Sequence, residues 1–560
     1  MSDAFVFPYP IDPAYTTRIC YLSMEFGIHQ PLKIYAGGLG FLAGSHLRSA
    51  QALRMPLVGV GILWKYGYYD QIRKEDQCMD VLFQEKTYTF LKLTDIRLQV
   101  FVNQHPVWVR VYQLPSELFH TAPLFLLSTD LPENDYLART ITHRLYDPNP
   151  ETRLAASMVL GVGARLLLQR LNFQPHVYHL NESHALPLIF SWIQEGNSHH
   201  QIRNKLVFTN HTTEPGGNEK NPRSLLERLG YTLQVPWERL EKEGVVEGDR
   251  LDHTLTAFQY AGRSNGVSQM HTNLLQQRMA DKKEGRQWYS VTNAQQALYW
   301  SDAAMYRAAG NNDADAFRTR KHACKQLLFE EVADQTGKWL DDQVFTLVFA
   351  KRFCPYKRAT LLLQDPARFE ALVTNSRYPI QIIWAGKPYP VDYASIAEFD
   401  RLVHECKRLS RCAILTGYEL KLSRMLKQGA DGWLNVPRPG REASGTSGMT
   451  AAMNGAINIS LAEGWFNEFV VDGHNAFLIP AAKPGRSEVE QDKEDAQQLY
   501  SILESNVLPM YYQQRDEWFQ LVRNALLQVR PRFDSDRMLR EYYERMYQPV
   551  ASMELMPASR

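Results

Sequence analysis

The sequence predicts an α/β protein of two Rossmann-like domains facing a cleft. Three observations carry that expectation. Its 560 residues exceed what one hydrophobic core supports. Short apolar runs alternate with helical stretches over most of the chain, the pattern of a parallel sheet wrapped by helices. The alternation occurs twice, on either side of a long charged stretch, Ala314 to Asp334.

The first run opens with a strand at Arg18–Met24, then a glycine-rich loop, Ile34-Tyr35-Ala36-Gly37-Gly38-Leu39-Gly40, and a helix from Phe41 to Arg54. Strands follow at Leu57–Leu63, Leu124–Ser128, His176–Leu180, Lys205–Asn210 and Trp288–Thr292, with helices at Glu151–Leu171, Leu186–Gln194 and Asp252–Ala261. The second run places strands at Val344–Phe349, Ile380–Ala385, Ala413–Leu415, Trp433–Val436 and Ala456–Ser460. Residues 483–495 are polar and expected to be exposed. Helices at Tyr511–Val529 and Asp536–Met546 close the chain. The expected division is an N-terminal domain over 1–310, a linker helix over 311–330, a C-terminal domain over 331–510, and helices over 511–560 that return to the first domain. In open parallel sheets ligands bind beyond the carboxyl ends of the strands, so the cleft is the expected site.

Bulk composition excludes several functions. Formal charge is +1, from 62 basic and 61 acidic residues, so no global field recruits nucleic acid or an anionic membrane. The six cysteines are scattered, with no metal-ligating spacing, which fits a reduced cytoplasm and no metal. Met1 to Pro10 lacks the pattern of a signal peptide, and the apolar stretch Leu154–Leu171 is interrupted by Arg165 and Arg170, as in a buried helix. Aromatic content of 11% suits a carbohydrate partner, although many rings serve only as core.

Two stretches carry the chemistry. Glu442-Ala443-Ser444-Gly445-Thr446-Ser447-Gly448-Met449-Thr450 follows a buried strand and leads into a helix, so its amides are free for an anion while Glu442 accepts from hydroxyls. Lys351, Arg352, Lys357 and Arg358 follow the strand ending at Phe349. A charge run is usually a solvated face, but at a sheet's carboxyl edge it suits a phosphate clamp. Three polar clusters stand at strand ends in the first domain: Asn181-Glu182-Ser183-His184, Thr209-Asn210-His211-Thr212 and Thr292-Asn293.

In order, YLSMEFGIHQPLKIYAGGLGFLAGSHL, HLNESHALP, VFTNHT, VTN, FAKRFCPYKRATLL, QIIWAGKPYP and NVPRPGREASGTSGMTAAMNGAINIS resemble the α-glucan (glycogen and starch) phosphorylase family, in particular its short bacterial and archaeal-type members. The resemblance implies the GT-B glycosyltransferase architecture and retaining α-glucosyl transfer between α-1,4-glucan and phosphate. It implies that Gly37, Gly38 and Leu39 lie beside the glucosyl unit, His211 near the sugar ring, Asn293 at the 6-hydroxyl, and Glu442, Ser444 and Gly445 at the 3- and 4-hydroxyls. His184 is counted with the substrate-binding residues. Lys351, Arg352, Lys357 and Thr446 would surround phosphate groups, and Trp300 and Tyr418 would line a coenzyme ring. The expected catalytic set is His211, Arg352, Lys357 and Glu442.

The family holds pyridoxal phosphate on a lysine in the pattern E-A-S-G-T-x-x-M-K. Here Thr450 stands at that position, and a hydroxyl cannot form the imine. Cys354 likewise stands where the classical enzymes have histidine. The expectation is no covalent coenzyme, with non-covalent binding open. Two other functions are weighed beside the phosphorylase: a sugar-nucleotide-dependent, glycogen-synthase-like glucosyltransferase, whose diphosphate would fill both phosphate positions, and a non-catalytic glucan-binding relative. Retention of Glu442, Arg352 and Lys357 argues against the last. Partners are then α-1,4-glucan or maltooligosaccharide with glucose 1-phosphate, phosphate or nucleotide-glucose. Glucan length, direction of flux and assembly, a homodimer included, stay open.

Overall fold

The structure, a computed structural model, describes residues 5–280, 286–483 and 485–553. The signal-peptide reading of Met1 to Pro10 in part, residue 484, and the tail at 554–560 lie outside the described residues. The chain divides into two units. Unit 1 comprises 1–68, 83–293 and 535–560; unit 2 comprises 69–82 and 294–534.

Unit 1 is built on a nine-stranded sheet. Its order is Trp288–Ser290, Arg263–Gly266, Leu206–Thr209, Val177–Asn181, Ile19–Leu22, Leu57–Ile62, Leu124–Ser128, His105–Leu114 and Lys92–Val102. The first seven strands are parallel and the last two antiparallel. That antiparallel edge was not anticipated. Its strands alternate in burial and do not form continuous apolar runs, so they read weakly as strands. They are joined at Asn103 and Gln104, both at positive φ (49° and 62°), as a two-residue hairpin turn requires. The central strands are fully buried, which is why their sequences are near-continuous apolar runs. Pro150–Arg170 is a buried helix, as expected, started by Asn149, whose side chain accepts from the Glu151 amide. Among the described residues no helix is long and apolar enough to cross a membrane.

Unit 2 has a six-stranded, all-parallel sheet: Cys412–Leu415, Ile380–Ala385, Phe345–Ala350, Gly432–Asn435, Ile457–Ser460 and Phe477–Leu478. In each unit the strand order runs outward in both directions from a central pair. That pair is Ile19–Leu22 with Val177–Asn181 in unit 1, and Phe345–Ala350 with Gly432–Asn435 in unit 2. The crevice beyond such a reversal is where ligands bind in open sheets.

The boundaries differ from those expected. The helix Ala314–Thr336 is no linker: it packs within unit 2, where Lys325 pairs with Asp431 at 2.7 Å. Unit 2 also takes in the hairpin Asp70–Arg73/Met79–Leu82, anchored by Gln71 Oε1 accepting from the Gly417 amide (3.0 Å) and Asp400 Oδ1 accepting from the Met79 amide (2.9 Å). Only Ser535 onward returns to unit 1; the helix Arg515–Phe533 stays with unit 2. The returning segment is tied in by Tyr547 to His179 (2.8 Å) and by Asn265 donating to the Tyr542 hydroxyl (3.0 Å). Residues 483–495 are not wholly exposed either. Asp495 is fully buried, in an ion pair with Arg358 at 2.7 Å.

Candidate functional site

In unit 1, parallel register brings separate polar clusters to one edge. Asn181 pairs with Thr209, and Thr209 with Asn265, so three neighbouring strands end level. Beyond them His211 Nε2 donates to Asn181 Oδ1 (2.6 Å), its amide donates to Glu182 Oε1 (2.6 Å), and its Nδ1 faces Asn293 Nδ2 at 3.5 Å. The structure therefore brings His211 and Asn293 together. Burial pulls the His211 pKa down to about 3, so the ring is neutral near pH 7. His184 follows in the short turn Ser183–Ala185, its own pKa pulled down by burial to about 4. Three buried atoms here have no hydrogen-bond partner: Glu182 Oε2, His184 Nδ1 and Asn293 Oδ1. Buried polar atoms are normally satisfied, so a cluster of orphans at the sheet's carboxyl edge suits a hydroxyl-rich ligand.

Glu182 is the residue sequence reasoning undervalued. It is 3% exposed and sits at φ 70°, ψ 173°, a conformation costly for a residue with a side chain. Burial lifts its pKa to about 8, against the opposing pull of the His211 and Ser183 amides. A lone acid directly after a buried strand is the signal that could have singled it out.

The glycine loop leads into the helix Gly38–Ala52. Beneath it lies Glu25, which accepts from the Ala36 amide (2.7 Å), the Gly37 amide (3.2 Å) and the Tyr146 hydroxyl (2.7 Å). A Cβ at Gly40 would stand 2.7 Å from Glu25 Oε2, whereas one at Gly37 would meet nothing within 4 Å. Gly40 thus permits the brace. Gly37 and Gly38 present open backbone, with Leu39 half-buried beside them.

In unit 2 the strand Phe345–Ala350 delivers Lys351 to the carboxyl edge. Lys351 Nζ donates to Leu434 O (3.0 Å) and to Asn435 Oδ1, and burial reinforced by Lys357 pulls its pKa down to about 7. The chain stays close because Gly386 has no side chain; a Cβ there would lie 2.0 Å from Lys351 O. Lys357, on the turn Pro355–Lys357, forms a buried ion pair with Glu442. Burial opposes its charge, but Glu442 outweighs that and the Lys357 pKa is raised. Arg352 is exposed. The fourth cation is not part of a clamp. Arg358 turns into the unit, donating to Val436 O (2.8 Å) and pairing with Asp492 (3.0 Å) and Asp495.

The small-residue loop ends at Gly445, at φ 86°, and the helix Thr446–Ala452 begins there, within the stretch that the sequence reads as leading into a helix. Ser444 O accepts from the Trp465 amide (2.9 Å), and Ser444 Oγ is buried without a partner. Glu463, also missed by sequence reasoning, braces the loop by accepting from the Gly440 amide (2.9 Å); burial lifts its pKa to about 7.

Thr450 is buried, and its hydroxyl donates back along its own helix to Ser447 O (3.0 Å). Asn454 Nδ2 donates to both Thr450 O (2.8 Å) and Trp300 O (2.9 Å), tying Trp300 to the turn that carries Thr450. Over the Trp300 ring, 3.9 Å from its centroid, stands the buried amine of Lys427. Tyr418 packs in the core around Leu422 and Leu426 and accepts from Ser423 Oγ (3.3 Å). Among the described residues no cluster of His, Cys, Asp or Glu could hold a metal.

The carboxyl edge of one sheet thus carries orphaned partners for hydroxyls, and that of the other carries buried cations. The carbohydrate phosphorylase family model matches residues 302–507. A maltodextrin phosphorylase of Thermococcus litoralis is 30% identical, over 96% of this chain and 71% of its own. A glycogen phosphorylase of Mycobacterium bovis is 31% identical over the same shares. An uncharacterized protein of Methanocaldococcus jannaschii is 43% identical over 94% of this chain and 99% of its own. This chain belongs to the carbohydrate (glycogen) phosphorylase family.

Family membership implies pyridoxal phosphate. Position 450 does not fit covalent attachment, because its hydroxyl is spent on its own helix and carries no amine. Beside that turn, Trp300 offers an aromatic ring, tied to Thr450 through Asn454, and unit 2 carries the cation Lys351 at the carboxyl edge of its sheet.

Proposed function

We propose that this protein is a retaining α-glucan glucosyltransferase of GT-B architecture, moving α-D-glucosyl units between α-1,4-glucan and phosphate. The observation that carries the reading is the buried Lys357–Glu442 ion pair. It joins the basic strip to the small-residue loop, setting a phosphate cation beside a hydroxyl acceptor, the two functions that a glucosyl phosphate presents. Substrate would part the pair, Glu442 taking sugar hydroxyls and Lys357 the phosphate, so neither buried charge is left alone. Arg352 adds a fork-shaped donor from the exposed side. In unit 1, His211 and Asn293, held by Asn181 and Glu182, offer hydrogen bonds to the sugar.

Lys351, Thr446, Trp300 and Tyr418 would hold pyridoxal phosphate, and its phosphate group is what it supplies to phosphorolysis when bound. No covalent bond to it forms at position 450.

The test is chain extension of maltooligosaccharide from glucose 1-phosphate, with added pyridoxal phosphate. Arg352→Ala removes a donor to developing negative charge, so turnover should fall by about a hundredfold while glucan affinity changes little. Undiminished turnover in the variant, or extension only from nucleotide-glucose, would defeat the reading.

A further inference from the structure

We propose that a cavity at the amino-terminal edge of the unit 1 sheet binds a phosphate monoester carried on an aromatic ring. The inference goes beyond the glucosyl-transfer reading, because it uses the edge opposite to the one that bears Asn181, His211 and Asn293.

The cavity stands where three neighbouring strands begin side by side. Arg18, His176 and Lys205 each immediately precede a strand: Ile19–Leu22, Val177–Asn181 and Leu206–Thr209. Those strands are adjacent in the sheet, so the three residues form a row. Backbone hydrogen bonds extend the pairing to this row, from the His176 amide to Arg18 O (2.9 Å) and from the Tyr178 amide to Lys205 O (2.7 Å). Neighbouring strands lie about 4.8 Å apart, so long side chains from such a row reach one ligand. The helices Pro150–Arg170 and Pro187–Gln194 add Arg165 and Trp192 to the lining, around a space of about 540 Å³. That volume suits a small organic molecule and greatly exceeds what an inorganic ion fills. At roughly 3.3 Å per residue, the strand from His176 to Asn181 sets the two edges about 16 Å apart.

Charge selects the head of the ligand. Arg18, Arg165 and Lys205 line the cavity against a single carboxylate, Glu195, so three cations and one anion leave an excess of two positive charges. A carboxylate would bring one negative charge, whereas a phosphate monoester brings about two at neutral pH. The donors suit such a head. Among the described residues the Arg18 guanidinium makes one hydrogen bond, from Nε to Gln174 O (2.7 Å), which fixes its plane and keeps the terminal nitrogens for an anion. Arg165 is held by its ion pair with Glu195, yet its Nε is buried without a hydrogen-bond partner among the described residues. Orphaned buried donors are rare, and one in a cavity wall suits an acceptor from a ligand. His176 Nδ1 accepts from the Arg18 amide (3.1 Å), so the neutral ring carries its proton on Nε2.

The aromatic wall selects the body. Tyr178 and Trp192 meet edge to face, with centroids 4.8 Å apart and planes at 82°, and Phe173 lines the same space. Tyr178 is half-buried, which leaves surface for a planar ring to pack on.

The experiment uses the full-length protein and needs no catalysis. Its failure leaves the glucosyl-transfer reading standing, and failed chain extension leaves this inference standing. Phenyl phosphate is titrated, and hydrogen exchange read by mass spectrometry both locates it and gives its dissociation constant. Slowed exchange is expected in peptides covering 165–178 and 192–206. Inorganic phosphate, ribose 5-phosphate and benzoate should each bind there more weakly by about tenfold or more, for want of a body, an aromatic ring or a second charge. Arg18→Gln and Lys205→Gln should each raise the phenyl phosphate dissociation constant by about tenfold, the size of one lost charge-assisted hydrogen bond, with circular dichroism unchanged. Protection confined to peptides covering 351–357 would place phenyl phosphate on the cations of unit 2 and overturn the proposal. Equal affinity for ribose 5-phosphate, or no protection over 165–178 at millimolar ligand, would overturn it too. If a variant fails to fold, the wild-type protection map and the ligand series decide.

Discussion

Glu182 offers the sharpest quantitative test. Its carboxyl is 3% exposed, and its pKa stands at about 8 in the fold against an ordinary 4.5. The folded chain therefore binds more protons than the unfolded chain between those values, and stability falls as pH rises. The contribution is fully present below about pH 4.5 and is lost as pH climbs through about 8. Linkage over this interval gives a loss of about 3 kcal/mol at pH 7 and about 1 kcal/mol at pH 5. Glu182→Gln keeps an acceptor for the His211 amide and has no charge to bury. The variant should exceed wild type in stability at pH 7 by far more than at pH 5. Urea unfolding followed by tryptophan fluorescence at pH 5, 6, 7 and 8 measures the difference. Equal pH dependence in the two proteins would show that Glu182 is not held protonated, and the reasoning would fail. A variant less stable than wild type at every pH would refute it equally, by showing that Oε2 already has a strong acceptor role.

Glu442 should tolerate Gln better than Ala. Glu442→Gln keeps an oxygen for sugar hydroxyls, whereas Glu442→Ala removes it and also leaves Lys357 buried and uncompensated, so its turnover in glucose 1-phosphate-dependent extension should be the lower of the two. Gly445→Ala forces a side chain into φ 86°, costing about 1 kcal/mol or more and lowering the melting temperature by a few degrees; an unchanged melting temperature would mean that the loop before Thr446 relaxes freely.

The sequence by itself determined the α/β class, the two runs of parallel strands and the loops that bear the chemistry. Those features are local. A fully buried strand is largely apolar, as at Leu57–Ile62 and Ile380–Ala385, where Gln381 is the one polar residue, and a loop such as 443–448 announces itself by small residues. The alternating edge strands Lys92–Val102 and His105–Leu114 lacked that signature and stayed hidden. Tertiary structure alone decided which charges meet. Lys351, Lys357 and Arg358 are equivalent in the sequence, yet Arg358 is withdrawn by Asp492 and Asp495, Lys357 is claimed by Glu442, and Lys351 caps Leu434 and Asn435. Each partner lies far along the chain, and an ion pair leaves no periodicity to read. The same holds for Glu25 under the glycine loop, for Glu463 behind Gly440, and for the hairpin Asp70–Arg73/Met79–Leu82, whose place in unit 2 rests on Gly417 and Asp400. Thr450 was visible in the sequence as a missing amine. That a lysine from another helix stands over the neighbouring ring is a fact of packing, which three-dimensional contact alone could supply.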